Sequence, residues 1–382
     1  MPIWKLFVPF VSIGVFLQKK CLFLKIMESA IACEGTSNYL YRGNNVNCNA
    51  MNRDQYEPRE DRYEAMGYRR AGKSGVLLPE ISLGFWHNFG EHHDEAKGLE
   101  IVHYAFDHGI CHFDLANNYG PPNGAAEERF GRYMKQSLHT HRDELFIATK
   151  AGHLMWPGPY GDWGSRKSLI ASLDQSLRRM NLEYVDIYYS HRYDPNTPLE
   201  ETMQALVDIV RSGKALYVGL SKYPDDVARR AYDYLEVRGV HCVLYQGRYN
   251  MLTRQPEEAV LPQAHENGTG FIAFSPLAQG LLTDRYLQGI PEDSRMAVGH
   301  FLRPEMLTDA LVEKLQALNE VAARRGQSLA EMALAWLLRD ERVTSVIVGA
   351  SSVAQLEKNL RARQNQEFTP EELTSIENIL KD

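Results

Sequence analysis

Short apolar runs alternate with amphipathic stretches from residue 68 to the C-terminus, and this alternation constrains the fold more than any other feature of the chain. Apolar residues recur at i, i+3 and i+4 in the longer stretches, which predicts helices. Such alternation is typical of βα units around a parallel sheet, and eight strands are the number that a closed (β/α)8 barrel requires. The predicted strands are 81–85, 110–114, 145–150, 185–190, 216–221, 240–246, 270–275 and 344–349, and the clearest helices are 99–107, 167–180, 199–212 and 353–362. We therefore predict an α/β TIM barrel that ends in extra helices.

A turn-rich segment precedes the first predicted strand. Residues 68–80 predict a β-hairpin that plugs the barrel floor. Residues 67–74 in the same region match the phosphate-binding pattern GxxxxGK[ST], but that loop must follow an apolar strand and open a helix. Residues 62–66 make a poor buried strand, and Pro79 would stop a helix early. We interpret the match as hairpin sequence. No GxGxxG motif occurs, so a dinucleotide would have to be held outside a Rossmann crossover.

The first 50 residues differ from the rest. Residues 3–24 are largely apolar but are interrupted by Lys5, Lys19 and Lys20. A cleaved export signal and a membrane anchor both fit poorly, because the cleavage site is weak and the apolar stretch is shorter than the ~20 residues of a spanning helix. We favour a third interpretation, in which residues 1–50 are an atypical, non-native extension and residues 51–382 form the barrel domain.

Charge and cysteine content narrow the function classes. The net charge of −7, without a basic stripe, argues against nucleic-acid binding. The five cysteines have irregular spacing and no CxxC pair, which favours free thiols in a reducing, cytoplasmic setting. No membrane role is expected for the barrel. The sequence leaves open whether the chain forms a homo-oligomer.

Four proton-handling residues, Asp114, Tyr119, Lys150 and His191, follow or end predicted strands. Residues just past barrel strands form the catalytic face, so we expect these four to meet at one rim. Taken singly, each has a structural explanation, such as a helix cap for Asp114 or turn packing for Tyr119. Four suitable groups at successive strand ends favour a catalytic role.

Together these residue types suit carbonyl reduction. Hydride addition leaves negative charge on oxygen, so the site needs a nearby proton donor and positive or dipolar support. Tyr119 is the predicted donor, and we expect the Lys150 ammonium to lower the pKa of its phenol. Asp114 would hold Lys150, and His191 would orient the substrate carbonyl.

The strings that carry these residues closely resemble the aldo-keto reductase superfamily, from residue 68 nearly to the C-terminus. Within it, the chain is similar to the branch of bacterial L-glyceraldehyde 3-phosphate reductase and the potassium channel β subunits. The resemblance rests on HFDLANNYG at 112–120, TK at 149–150, SH at 190–191, GLS at 219–221, YQ at 245–246, AFSPLAQG at 273–280 and GAS at 349–351.

By this resemblance, Asp114, Tyr119, Lys150 and His191 are the catalytic tetrad, and the cofactor is NADP(H). Phe274 would stack on the nicotinamide in place of the more common Tyr or Trp, and Lys222 stands where a small polar residue or Arg is frequent. Matching Arg295 to the 2′-phosphate site favours NADP over NAD, since a guanidinium suits phosphate. The residues expected at the cofactor are Trp86, Asp114, Ser221, Gln246, Phe274, Ser275, Leu277, Gly280, Arg285, Arg295, Gly349, Ser351, Gln355 and Asn359.

The expected substrate is a small polar aldehyde of the glyceraldehyde 3-phosphate or methylglyoxal type. Trp86, Tyr119, His191, Arg192 and Trp156 are expected to contact it, and Tyr160 and Trp163 lie in loops that could add to the wall. Arg192 could pair with a substrate phosphate or carboxylate. The alternative for Arg192 is that it only braces a loop.

Two other functions and a metal site compete with this interpretation. A cofactor-sensing channel β-subunit module with slow turnover fits the branch, but those subunits typically carry Asn where this chain has His191. A barrel isomerase or lyase would not need the predicted phosphate-binding set. A metal site at His87, His92 and His93 is disfavoured, because their spacing does not place them on one helix face.

Overall fold

The computed structural model describes residues 56–291, 295–298 and 302–381, and only the backbone of residues 295 and 298. The predictions for residues 1–50 therefore lie outside the described residues. Tyr56–Asp382 forms a compact unit of its own. No helix in the described ranges is long and apolar enough to cross a membrane.

Eight parallel strands close into a barrel, as the alternating pattern predicted, and neighbouring strands follow chain order, with the last strand paired to the first. Each predicted strand overlaps an observed one. The strand Val185–Ser190 is buried along its whole length, because its outer face packs against helices while its inner face fills the barrel. This explains why the strands are continuous apolar runs rather than alternating ones. The barrel strands are β3 (Ile81–Gly84), β4 (His112–Asp114), β5 (Phe146–Ala151), β6 (Val185–Ser190), β7 (Ala215–Ser221), β8 (Cys242–Arg248), β9 (Gly270–Phe274) and β10 (Val343–Val348).

Helices follow the strands and cover the barrel. Their ends carry the expected signals: Asp94 and Thr308 cap helix N-termini through side-chain oxygens, and Ser328 and Glu331 form a reciprocal capping box. Gly268 ends a helix in the left-handed conformation at φ 78°. The helices are α1 (Glu95–Asp107), α2 (Ala125–Tyr133), α3 (Arg166–Met180), α4 (Leu199–Arg211), α5 (Asp225–Glu236), α6 (Val260–Asn267), α7 (Arg295–Val298), α8 (Asp309–Arg324), α9 (Leu329–Leu338), α10 (Val353–Arg361) and α11 (Pro370–Lys381).

The predicted hairpin is confirmed as β1 (Tyr68–Arg70) paired antiparallel with β2 (Leu77–Pro79). Leu78 is fully buried and belongs to the apolar cluster inside the barrel with Ile187 and Leu244. The residues that matched the phosphate-loop pattern therefore lie in and around β1 and its turn, and no helix begins there. The hairpin interpretation was right, because the apolar pattern before this segment is too short for the buried strand that a phosphate-binding loop must follow.

The prediction of free thiols is confirmed for the two cysteines within the described residues. Cys111 and Cys242 are free and buried. Burial raises the pKa of both thiols to about 12, so they are held as unreactive thiols. The other three cysteines lie outside the described residues.

Candidate active site

The carboxyl ends of neighbouring strands bring the four predicted proton-handling residues to one rim of the barrel. Asp114 is the last residue of β4, Lys150 lies near the end of β5, and His191 directly follows β6. Tyr119 lies in the loop after β4. Asp114, Tyr119 and His191 line one cavity of about 610 Å³, hereafter the rim cavity. Its size is within the range of small-molecule and cofactor sites.

Asp114 and Lys150 form a buried ion pair beside the rim cavity. Lys150 Nζ donates to both carboxylate oxygens of Asp114, at 2.8 Å each, and to the backbone oxygen of Leu115 at 2.5 Å. Gln246 Nε2 donates a further bond to Asp114 Oδ1 at 2.9 Å. The three oxygens that accept from Lys150, two on Asp114 and one on Leu115, use all three hydrogens of its ammonium. Burial lowers the pKa of Lys150, and the Asp114 carboxylate opposes that shift.

Tyr119 lies close to this pair, but its pKa moves in the direction opposite to our prediction. Lys150 Nζ is 5.0 Å from the centre of the Tyr119 ring. Burial of the phenol and the charge of Asp114 nevertheless raise its pKa well above 10. The expected lowering was wrong because burial of the phenol and the charge of Asp114 outweigh the Lys150 ammonium, whose three hydrogens are all used elsewhere. Tyr119 therefore remains protonated, as a proton donor must be.

His191 lies edge-on to Tyr119 in the wall of the rim cavity. Their ring centres are 6.0 Å apart, with planes at 74°. Burial, assisted by Lys222, Lys150 and other nearby cations, lowers the pKa of His191 well below 6.5. The ring is therefore neutral near pH 7 and carries one N–H. Its Nδ1 is buried and has no hydrogen-bond partner.

Most residues expected at the cofactor line the same rim cavity. Ser351 and Gln355 are joined there, because the Ser351 backbone N–H and hydroxyl both donate to Gln355 Oε1 at 2.9 and 3.1 Å. Ser275 adopts a left-handed conformation at φ 52° that starts the tight turn toward Gly280. The expected residues that line the cavity are Trp86, Asp114, Phe274, Ser275, Leu277, Gly280, Arg285, Gly349, Ser351 and Gln355.

Three of the residues expected at the cofactor do not line the rim cavity. Ser221, Gln246 and Asn359 are almost fully buried. Ser221 Oγ and Asn359 Nδ2 nevertheless have no hydrogen-bond partner, whereas Gln246 is used on Asp114. The side chain of Arg295 lies outside the described residues.

Arg192 and Trp156, both expected at the substrate, do not line the rim cavity. Arg192 Nε donates to Gly152 O at 2.6 Å, and Nη2 donates to Asp162 Oδ1 at 2.7 Å. Its guanidinium also lies 3.6 Å from the centre of the Trp163 ring. These contacts match the alternative interpretation, in which Arg192 braces the loop after β5.

The aromatic wall is also smaller than expected. The loop carrying Trp156 folds back on itself, with Met155 N donating to Gly161 O at 2.8 Å. Tyr160 and Trp163 are 49% and 37% exposed and do not line the rim cavity. Trp86 is the expected tryptophan that lines it. Sequence position placed these side chains in rim loops but could not give the direction in which each loop folds.

Three basic residues line the rim cavity but were not predicted from the sequence to bind a ligand: His153, Lys222 and Arg248. Lys222 directly follows β7, and Arg248 is the last residue of β8. The strand-end rule that identified Asp114 and Lys150 could have found both. The positive charges of Lys222 and Arg248 mark the rim cavity as a site for anions.

The histidines considered as metal ligands do not assemble a site. Within the described part of the chain, no group of three or more His, Cys, Asp or Glu side chains could hold a metal ion. His87 instead packs against Trp86, with ring centres 3.9 Å apart.

Comparisons with known proteins identify the family of the chain and its relatives. The model of the Aldo/keto reductase family matches residues 80–381. L-glyceraldehyde 3-phosphate reductase of Escherichia coli strain K12 is 54% identical over 327 residues, which cover 84% of this chain and 94% of the relative. The protein of the same name from E. coli O157:H7 is 55% identical over the same shares. A probable voltage-gated potassium channel subunit beta of Arabidopsis thaliana is 35% identical over 83% of this chain and 97% of the relative.

Proposed function

The chain belongs to the aldo/keto reductase family, and on that premise we propose that it reduces small polar aldehydes to alcohols with NADPH, using Tyr119 as the proton donor. It is an oxidoreductase that acts on carbonyl or alcohol groups. The E. coli relatives at 54% and 55% identity are named for reduction of L-glyceraldehyde 3-phosphate. The observation that carries the proposal is the meeting of protonated Tyr119 and neutral His191 in one cavity above a buried Asp114–Lys150 pair.

Residues of the rim cavity fit NADP(H). Phe274 presents a ring of the kind that stacks on a nicotinamide, and Arg285 supplies a cation for phosphate oxygens. Ser221 Oγ is buried without a partner, so a polar cofactor group could satisfy it. Ser351 and Gln355, with Asn359 and Arg295 from the sequence resemblance, would hold the adenosine 2′-phosphate end. When bound, NADPH supplies the hydride.

Tyr119 would donate the proton to the carbonyl oxygen. Negative charge grows on that oxygen during reduction, and a phenol whose pKa is well above 10 keeps its proton until it is needed. The phenolate left behind lies near the Lys150 ammonium, which is 5.0 Å from the ring centre. The cation would then stabilise the phenolate more than it stabilises the neutral phenol.

His191 would orient the carbonyl. A neutral imidazole donates one N–H, and His191 stays neutral because burial and nearby cations disfavour its charged form. A neutral donor can hold the oxygen without competing with Tyr119 for the proton transfer. Asp114 would act as a positioning residue, since it fixes all but one hydrogen of the Lys150 ammonium.

Anaerobic mixing of the purified protein with NADPH and a panel of aldehydes, followed as loss of NADPH absorbance, tests this function. We expect one small polar aldehyde, such as glyceraldehyde 3-phosphate or methylglyoxal, to be strongly preferred. The same panel with NADH tests the cofactor, and we expect a higher KM for NADH. Absence of turnover on every aldehyde would contradict the proposal.

A channel-subunit-like sensor is the second candidate function. It is supported by the Arabidopsis relative, which is 35% identical and is named a probable potassium channel subunit beta. A sensor would oxidise NADPH slowly with every aldehyde in the panel. We favour the reductase, because His191 completes the proton-handling set and the identity to the E. coli reductases is higher.

A further inference from the structure

Two cations in the rim cavity have no carboxylate partner. Lys222 Nζ lies 5.7 Å, and Arg248 Cζ 5.8 Å, from the centre of the Phe274 ring. Neither forms an ion pair among the described residues, whereas Arg192 near the same rim is paired with Asp162. Asp114, which also lines the cavity, is already paired with Lys150. The positive charge at this end of the cavity is therefore left for a ligand to balance.

Lys222 is held toward the candidate catalytic residues. Its backbone adopts a left-handed conformation at φ 55°, which is strained for a residue with a long side chain. Its Nζ lies 3.4 Å from His153 Nε2, and the His153 ring centre lies 4.5 Å from that of His191. The side chains of Lys222, His153 and His191 are therefore in contact one after another, and His191 in turn contacts Tyr119.

His153 is suited to position an ammonium rather than to bind an anion itself. Burial, together with the charges of Lys222 and Arg192, lowers the pKa of His153 to about 4. The imidazole is therefore neutral near pH 7, and an unprotonated Nε2 can accept a hydrogen bond from Lys222. Two hydrogens of the Lys222 ammonium remain for another acceptor.

The expected anion anchor, Arg192, is not in a comparable position. Asp162 neutralises its guanidinium, and its Nε already donates a hydrogen bond to Gly152 O. It also does not line the rim cavity, whereas Lys222 does. A substrate anion at Arg192 would compete with the Asp162 carboxylate, whereas at Lys222 it would meet no existing ion pair.

We propose that Lys222, positioned by His153, binds the anionic group of the substrate, so that the enzyme selects small aldehydes bearing a phosphate or carboxylate over neutral ones. This inference rests on the proposed function and narrows its substrate class. The carbonyl lies at Tyr119 and His191, and the anion lies on the Lys222 side of the cavity. An ammonium acts there as a point charge, which suits the tetrahedral oxygens of a phosphate.

The charge of Lys222 makes this selection dependent on pH. Partial desolvation in the cavity, with the charges of Lys150, Arg248 and Arg192, lowers the pKa of Lys222 to about 8. His153, which also faces it, is neutral throughout this range. The ammonium is present below its pKa and is lost above it. Preference for the charged aldehyde should therefore fall as pH rises through about 8.

The test compares glyceraldehyde 3-phosphate with glyceraldehyde, because the two share the same carbonyl. In Lys222→Met, we expect the ratio of their kcat/KM values to fall by roughly tenfold or more, because a hydrogen bond to a charged group is among the stronger ones that a protein makes. Lys222→Arg should restore most of the ratio. Lys167→Met removes the same charge from a rim lysine that does not line the cavity, and it should leave the ratio at the wild-type value.

Binding measurements separate a substrate anion from a cofactor phosphate. Glycerol 3-phosphate should bind the NADP⁺-loaded wild type, and Lys222→Met should weaken this binding while NADPH affinity, titrated without aldehyde, changes less. Weakened NADPH binding with equal loss on both aldehydes would overturn the inference in favour of a cofactor role. An unchanged ratio would also overturn it while leaving the proposed function intact. Failure of the wild type to reduce either aldehyde would overturn both.

Discussion

Lys150 Nζ donates to both carboxylate oxygens of Asp114, at 2.8 Å each, inside the rim of the barrel. Both side chains are almost fully buried, at 0% and 3% exposure. Removing one member leaves an unbalanced buried charge, so Lys150→Met should lower the free energy of unfolding by about 3–5 kcal/mol. Urea unfolding followed by circular dichroism measures the loss.

A double variant separates stability from chemistry. Asp114→Leu combined with Lys150→Met removes both charges, so it should recover most of the lost stability. It should not recover aldehyde reduction, because Tyr119 would lack the cation near its phenolate. Recovery of both properties would show that the pair is only structural.

The raised pKa of Tyr119 predicts how the two directions of the reaction depend on pH. The protonated phenol, which reduction needs, is present below a pKa well above 10. With neutral glyceraldehyde, the kcat for reduction should therefore show no loss that is due to Tyr119 between about pH 6 and 9. Alcohol oxidation needs the phenolate, so its kcat should rise with pH across the same range.

Profiles of kcat against pH in both directions measure this prediction. Glyceraldehyde is used because it carries no anion for Lys222 to bind. A fall in kcat for reduction with a midpoint near pH 7 would mean that Tyr119 is more acidic than its surroundings imply.

Arg192→Met should impair phosphorylated and neutral aldehydes to a similar extent. The Arg192 side chain joins Gly152 to Asp162, so its loss loosens the loop rather than removing an anion site. Asp162→Asn weakens the same brace and should have a similar effect. The ratio of kcat/KM for glyceraldehyde 3-phosphate to that for glyceraldehyde is the measurement, and a selective loss on the phosphate would restore Arg192 as the anchor.

The hairpin floor should contribute measurably to stability. Leu78 is 0% exposed inside the barrel, whereas its neighbour Leu77 is 50% exposed. Leu78→Ala leaves a cavity and should cost about 2–5 kcal/mol in the free energy of unfolding. Leu77→Ala is the matched control and should change stability by about 0.5 kcal/mol or less. Equal effects of the two substitutions in urea unfolding would mean that the hairpin does not support the core.

Strand positions and the four proton-handling residues could be predicted because both follow from local pattern. A strand of a parallel barrel is a short apolar run, and its carboxyl end lies at the catalytic rim. Asp114, Lys150 and His191 could therefore be placed by their position after such runs. Tyr119 required the additional assumption that the loop after β4 folds back over the rim, and it does line the cavity.

The charge state of the site could not be predicted in the same way, because it depends on contacts between distant residues. Asp162 lies 30 positions before Arg192 and neutralises it. Lys222 contacts His153, 69 positions away, through a left-handed backbone conformation at Lys222. Nothing in the local sequence predicts that conformation. The pKa of Tyr119 was misjudged because the sequence does not show that Asp114 and Leu115 O occupy every hydrogen of Lys150.

Replacing Tyr119 by Phe tests the central claim most directly, because it removes one oxygen and keeps the ring. The rate of NADPH oxidation by glyceraldehyde, measured under single-turnover conditions, should fall by roughly 10²–10⁴-fold, the usual contribution of a positioned proton donor. NADPH binding should persist, and Tyr160→Phe, in an exposed loop outside the rim cavity, should reduce the aldehyde at the wild-type rate. A Tyr119→Phe enzyme that reduces the aldehyde as fast as the wild type would contradict the account.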